Sequence, residues 1–239
     1  LAGEFDVELT NESDSIGLIA LQGPVAEIIL QPLVDVELAP MGFYWFEEGH
    51  VDGIPGVISR TGYTGEAGFE LYLPSDATRS VWDRLLEAGE GDGLLPTGLG
   101  CRDSLRLEMG YALYGNDIDD HTSPLEAGLS WLVKLGKDPF VGQEALLAQK
   151  EAGLTRRLRG FKLAERGFPR PGYDVVFAGE TVGPVRSGTL SPSLGCGIGT
   201  AYLPADARPG DEVSIRIRNR DIPGEVVSLP FYDGGSLKR

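Results

Sequence analysis

At Arg156 the chain changes texture, and the stretch beyond that residue constrains the fold most. From there the sequence is a succession of short runs, "RRLRGFKL", "YDVVFAG", "ETVGPVRSGTLSP", "CGIGTAYL", "DEVSIRIRN" and "GEVVSLPFY". Gly, Pro and Asp interrupt them at turn positions, because these residues supply conformations or remove donors that strands cannot accommodate. About six short strands in ~80 residues predict a small barrel or sandwich. Charge changes at the same place. Residues 1–154 hold 8 Lys+Arg against 27 Asp+Glu, whereas residues 155–239 hold 13 against 9. An acidic body excludes a duplex nucleic-acid binder, which needs a basic footprint. It reads as a solvated acidic surface; a sharper reading has the weakly basic second part facing an acidic partner.

Before Arg156, strands and helices alternate. "GLIALQGP" reads as a buried strand leading into a helix, with Pro24 suited to the first turn, and "VAEIILQPL" as a short helix stopping near Pro32. "FYWF" and "VDGIPGVISR" read as strands joined by a turn at Glu48–Gly49. Ser75 is placed to cap the helix "DATRSVWDRLLEAG", with Arg79 and Asp83 four apart and Gly89 as its stop. "TGLGCRDSLRLEMG" is helical between its glycines, with Arg102 and Arg106 on one face. "SPLE" at Ser123–Glu126 is a capping-box pattern, "LSWLVKL" a strand and "VGQEALLAQKEAG" an amphipathic helix. The expected fold class is α+β: a mixed α/β domain followed by a small C-terminal β-barrel, with the boundary near 150–156.

Several functions are excluded early. No apolar run approaches the ~18 residues of a membrane span, and the start "LAGEFDVELTNESD" has neither the basic nor the apolar region of a signal peptide. Leu1 is not an initiator Met, and the expectation is that the chain follows a cleavage or is a fragment. Cys101 and Cys196 lie far apart and form no CxxC, which argues against a disulfide framework or thiolate zinc site and fits a reducing cytoplasm. His50 and His121 are the only histidines and GxSxG is absent, so a Ser-His-Asp hydrolase is disfavoured. "NDIDDH" (residues 116–121) lacks the glycine and distal Glu of a calcium loop and reads as a solvated turn.

"SRTGYTGEAGFELYLP" carries glycines at 62, 65 and 68. It is neither a P-loop nor a dinucleotide fingerprint, because a strand rather than a helix comes next. The glycines instead let the chain turn tightly between "VISR" and "FELYL". In the second strand Phe69, Leu71 and Leu73 point one way, and Glu70 and Tyr72 the other.

Together, "SRTGYTGEAGFELYLP", "TGLGCRDSLRLEMGYALYGNDIDDHTSPLEAGLSWLVKL" and "SGTLSPSLGCGIGTAYL" resemble the T-protein of the glycine cleavage system, in order and spacing along nearly the whole chain. That family is a tetrahydrofolate-dependent aminomethyltransferase. The resemblance implies transfer of an aminomethyl group from the lipoyl arm of a carrier, the H-protein, to tetrahydrofolate, giving methylenetetrahydrofolate and ammonia. It implies folate contacts at Glu70, Arg102 and Tyr63, and further ones at Tyr111 and Trp131. The residue types suit the ligand. A carboxylate accepts the paired ring N–H and exocyclic NH2 of a pterin, and aromatic faces meet its rings.

The resemblance also implies that residues 1–152 are the C-terminal portion of the folate-binding domain and 153–239 the barrel. The family's larger N-terminal segment, with its catalytic aspartate, then precedes Leu1; no residue here is assigned catalysis or a metal, and the piece alone is expected to be inactive. Two positions depart from the family pattern: Cys196, where lysine is common, and Asp233, where a basic residue is expected. The alternative reading is the folate-binding module of a sarcosine/dimethylglycine dehydrogenase-type enzyme.

Overall fold

Strands β1 (Ile16–Gln22), β2 (Phe46–Val51), β3 (Ile54–Ser59) and β4 (Gly68–Pro74) form one antiparallel sheet, ordered β1-β4-β3-β2, in the computed structural model, which describes residues 2–238. Period-two alternation sorts its faces. Ile19, Leu21, Ile58, Phe69, Leu71 and Leu73 are buried on one side against Ile29 and Leu30 of helix α1 (Ala26–Leu30) and Val81 and Leu85 of helix α2 (Thr78–Gly89). Each such side chain contributes about 1.5–3 kcal/mol of burial, so this face holds the sheet's register. On the other face Ala20, Glu70, Ser59 and Phe46 lie in one cross-strand row, and Leu18, Tyr72, Val57 and Glu48 in the next.

Local expectations shift here for identifiable reasons. Of "FYWF" only Phe46 is in a strand, and the hairpin turns at Asp52–Gly53, whose φ angles of 50° and 78° suit a tight two-residue connection. Ser75 does not cap α2; its hydroxyl donates to the Asp14 carbonyl at 3.0 Å, and the helix starts without a side-chain cap. The Arg79–Asp83 pair forms at 2.9 Å on the exposed surface. Gly89 ends α2 but not the winding, which runs on through a short 3-10 turn to Gly93 at φ 77°.

Contacts divide the chain into two compact units, Leu1–Gly98 with Gly234–Arg239, and Leu99–Asp233. The second contains α3 (Leu99–Glu108), α4 (Gln143–Ala152) and six strands: β5 (Arg156–Leu163), β6 (Asp174–Phe177), β7 (Glu180–Leu190), β8 (Gly197–Pro204), β9 (Glu212–Ile217) and β10 (Arg220–Val227). These strands close into a barrel in the order β10-β5-β8-β7-β6-β9. Closure chooses the barrel over the sandwich and leaves no unpaired edge. Phe161, Val175, Val185, Leu203, Val213, Ile215 and Val226 fill it. At Gly199, opposite Phe161, an added Cβ would lie 2.5 Å from the ring, so only glycine fits. The last hairpin turns at Arg218–Asn219 (φ 50° and 65°), so β10 starts ahead of the run "GEVV".

Two motifs in this unit behave differently from their sequence reading. Ser123 and Glu126 exchange the two capping-box bonds, 3.0 and 3.2 Å, yet no helix forms after them; Gly128, at φ 77°, closes the segment as a turn. "LSWLVKL" is not a strand. Its amides are satisfied locally, Leu132 N by Leu129 O at 3.0 Å and Val133 N by Ser130 O at 3.2 Å, and among the described residues no strand pairs with it. Among the described residues no helix is long and apolar enough to cross a membrane.

Candidate functional site

The glycine-rich turn between β3 and β4 is built around a side chain from β1. Gln22 Nε2 donates to the carbonyls of Thr61 (3.1 Å) and Phe69 (3.2 Å), and its Oε1 accepts from the Thr64 hydroxyl at 3.1 Å. An added Cβ at Gly62 would stand 1.9 Å from Gln22 Oε1, and one at Gly68 would stand 2.6 Å from Gln22 Cδ. Those two glycines therefore make room for an amide; Gly65, at φ 78°, supplies the left-handed corner.

The far side of the loop is tied down as well. Ser236 N and Oγ donate to Glu66 Oε2 at 3.0 and 2.5 Å, and Ala67 N donates to Ser236 Oγ at 2.7 Å. At Gly235 a Cβ would meet the Gly65 carbonyl at 2.3 Å, so the tail lies flat on the loop.

This scaffold presents Glu70. Its carboxylate projects from the face of the sheet opposite the core, half-buried, between Ala20 and Ser59 of the neighbouring strands. Thr61 Oγ1 donates to Glu70 Oε2 at 2.5 Å, with Ser59 Oγ 3.0 Å from the same hydroxyl. Leu18, Tyr72 and Phe46 on this face are 47%, 38% and 63% exposed. The Tyr72 phenol is raised above its ordinary pKa by burial and then by the Glu70 charge. A fixed carboxylate amid exposed apolar side chains suits a flat ligand that carries N–H donors. Tyr63, half-buried, lies on the same loop two residues beyond Thr61.

The other expected site residues belong to the second unit. Arg102 is exposed on α3, and Tyr111 is half-buried just past that helix, its amide donating to Arg106 O at 2.9 Å. Trp131 is 62% exposed on the irregular segment after Gly128, so it is not a core residue. Cys196 is half-buried with a free thiol, Cys101 is free and exposed, and Asp233 is exposed.

Arg106 and "NDIDDH" depart most from expectation. Arg106 does not share Arg102's exposure; it is 1% exposed and donates to Asp117 (2.7 Å), Asp103 (2.6 and 2.8 Å), Ser187 (2.8 Å) and the Tyr111 carbonyl (3.2 Å). Asp117, read as part of a solvated turn, is equally buried and also accepts from the hydroxyls of Ser187 (2.7 Å) and Thr200. Asp119 pairs with Arg186 at 2.7 Å, and that bond chiefly holds its carboxyl below the ordinary range. Glu108 is buried and accepts from Ser191 and from Ser193 N and Oγ at 3.0 and 2.8 Å. Among the described residues no three His, Cys, Asp or Glu side chains are grouped to hold a metal ion.

Sequence reasoning passed over Gln22 and Thr61 altogether. The signal was the pair of glycines at 62 and 68, whose missing side chains had to be replaced by something.

Two family models match the chain, the GCVT N-terminal domain over residues 1–137 and the glycine cleavage T-protein C-terminal barrel domain over residues 156–233. Among curated relatives, the aminomethyltransferase of Halothermothrix orenii is 54% identical over 94% of this chain and 63% of its own length. That of Rubrobacter xylanophilus is 51% identical over 96% of this chain and 60% of its own. The chain thus spans less than two thirds of these relatives' length. In three dimensions it matches the crystal structure of glycine cleavage system aminomethyltransferase T from Bartonella henselae, with a TM-score of 0.71 and 26% identity over 92% of this chain and 85% of that one.

Proposed function

The chain belongs to the glycine cleavage T-protein family, and we propose on that basis that it acts in the family's aminomethyl transfer, as the part that holds tetrahydrofolate. In this reading the aminomethyl group arrives on the lipoyl arm of the carrier H-protein and leaves as methylenetetrahydrofolate, with ammonia released. The proposal places the protein in the cytoplasm. Residues 1–152 serve as the C-terminal portion of the folate-binding domain and 153–239 as the barrel.

The observation that carries the reading is the Glu70 carboxylate, fixed by a hydroxyl donor on a sheet face that also exposes Leu18, Tyr72 and Phe46. Its remaining lone pairs suit the adjacent N–H and NH2 of a pterin, a charge-assisted pair worth about 1.5–3 kcal/mol per bond. Tyr63 is proposed to meet the ligand from the same loop. Arg102, Tyr111 and Trp131 are proposed as further folate contacts, Arg102 to a carbonyl or carboxylate and the aromatics to ring faces. The relatives named as aminomethyltransferases favour this reading over a sarcosine/dimethylglycine dehydrogenase-type module.

The test is equilibrium titration of the intact protein with tetrahydrofolate. Glu70→Ala is expected to weaken binding by about tenfold or more, and unchanged affinity in that variant would refute the assignment. Turnover of the intact protein with lipoylated carrier and tetrahydrofolate then tests the reaction itself.

A further inference from the structure

We infer that Thr61 is a positioning residue for Glu70, held in place by Gln22, and that it selects ligands presenting two parallel N–H donors. The inference rests on the folate reading of Glu70. The last side-chain torsion of a glutamate is broad, so an unrestrained carboxylate turns its plane with little resistance. Here the plane is restrained at one oxygen. Thr61 Oγ1 donates to Glu70 Oε2 at 2.5 Å, and the same hydroxyl lies 3.0 Å from Ser59 Oγ.

Thr61 is itself fixed by a β-branched rotamer preference and by its backbone. Gln22 Nε2 spans the Thr61 and Phe69 carbonyls at 3.1 and 3.2 Å. It thereby ties the residue carrying the hydroxyl to the residue preceding the glutamate. Gly62 and Gly68 admit that amide, so the loop's composition and the carboxylate's orientation have one cause.

Specificity arises from this restraint. A carboxylate with its plane set in advance binds a matched pair of donors with both oxygens and loses little rotational freedom in doing so. A ligand offering one donor can be met by a rotating carboxylate equally well and gains nothing from Thr61.

Tetrahydrofolate and an analogue lacking the exocyclic 2-amino group should be titrated against the intact wild-type protein and its Thr61→Val, Thr61→Ser and Glu70→Gln variants, with thermal midpoints recorded for each. Thr61→Val, which keeps the shape but cannot donate, is expected to weaken tetrahydrofolate binding about tenfold. Thr61→Ser is expected to restore most of it, and the Val penalty should vanish for the analogue. Wild-type affinity in Thr61→Val, equal losses in Val and Ser, or a Val penalty that persists with the analogue would each overturn the inference. If Glu70→Gln weakens binding while Thr61→Val does not, the folate reading stands and this inference alone fails. Failure of the wild-type protein to bind tetrahydrofolate would sink both.

Discussion

The guanidinium of Arg106 and the carboxylate of Asp117 lie 2.7 Å apart, with each side chain 1% exposed. Removing one partner strands a buried charge, whereas replacing both with apolar groups need not destabilise the protein. Arg106→Met is therefore expected to cost about 3–5 kcal/mol, and the double variant Arg106→Met/Asp117→Asn, which removes the stranded charge but keeps an acceptor for the buried hydroxyls of Ser187 and Thr200, less than Arg106→Met alone. Urea denaturation midpoints of the three proteins test the ordering.

Gly62 and Gln22 occupy overlapping space, since a Cβ on the first would come within 1.9 Å of the second. Gly62→Ala should destabilise by about 1–3 kcal/mol through overpacking. Removing the amide in Gly62→Ala/Gln22→Ala should recover part of that loss, giving a coupling that a double-mutant cycle measures directly. Additive losses would show that the glycine answers some other demand.

Glu126 links stability to acid. Burial alone would raise its pKa, but the Ser123 amide, the Arg156 guanidinium at 2.9 Å and the Ser123 hydroxyl outweigh it and hold the carboxyl below its ordinary 4.5. A depressed folded-state value means the contribution is fully present above the unfolded-state pKa and is lost as pH falls through the folded-state one. Unfolding free energy measured at descending pH should fall below about pH 4.5, and Glu126→Gln should flatten that part of the curve.

The tail bonds from Ser236 to Glu66 and Ala67 predict protection of a loop that has no strand partner of its own. Ser236→Ala should speed amide exchange at Ala67, whose hydrogen is donated to that hydroxyl at 2.7 Å. Exchange in β4 should be unaffected, because its amides are held by β1 and β3.

Where local pattern and final environment agreed, the sequence was readable. Phe69, Leu71 and Leu73 announced a core face because alternation is a local property, and the turn residues after Arg156 announced a run of short strands for the same reason, while closure into a barrel is a property of the whole set. Arg106 and Asp117 were not readable in this way. Their partners Ser187 and Thr200 lie on β7 and β8, more than 80 residues from Arg106 in the first case, and no local pattern encodes such a meeting. "LSWLVKL" misled because apolar content alone does not distinguish a strand from a turn whose amides bond within the segment. Glu70 was found through family resemblance, whereas its companion Thr61 needed three dimensions.

The Ser236–Glu66 contact joins residues 170 apart in sequence, and it bears on how the protein is made. A ribosome adding about 5–20 residues per second has already exposed the glycine-rich turn while residues 99–233 are still being synthesised. At that rate, on the order of 10 s or more passes before the segment that seals the turn exists. During that interval the barrel residues can fold, but the turn carrying Tyr63 and leading to Glu70 cannot be completed. Maturation of the proposed binding loop is therefore a late event, even though its own residues leave the ribosome long before the barrel is finished.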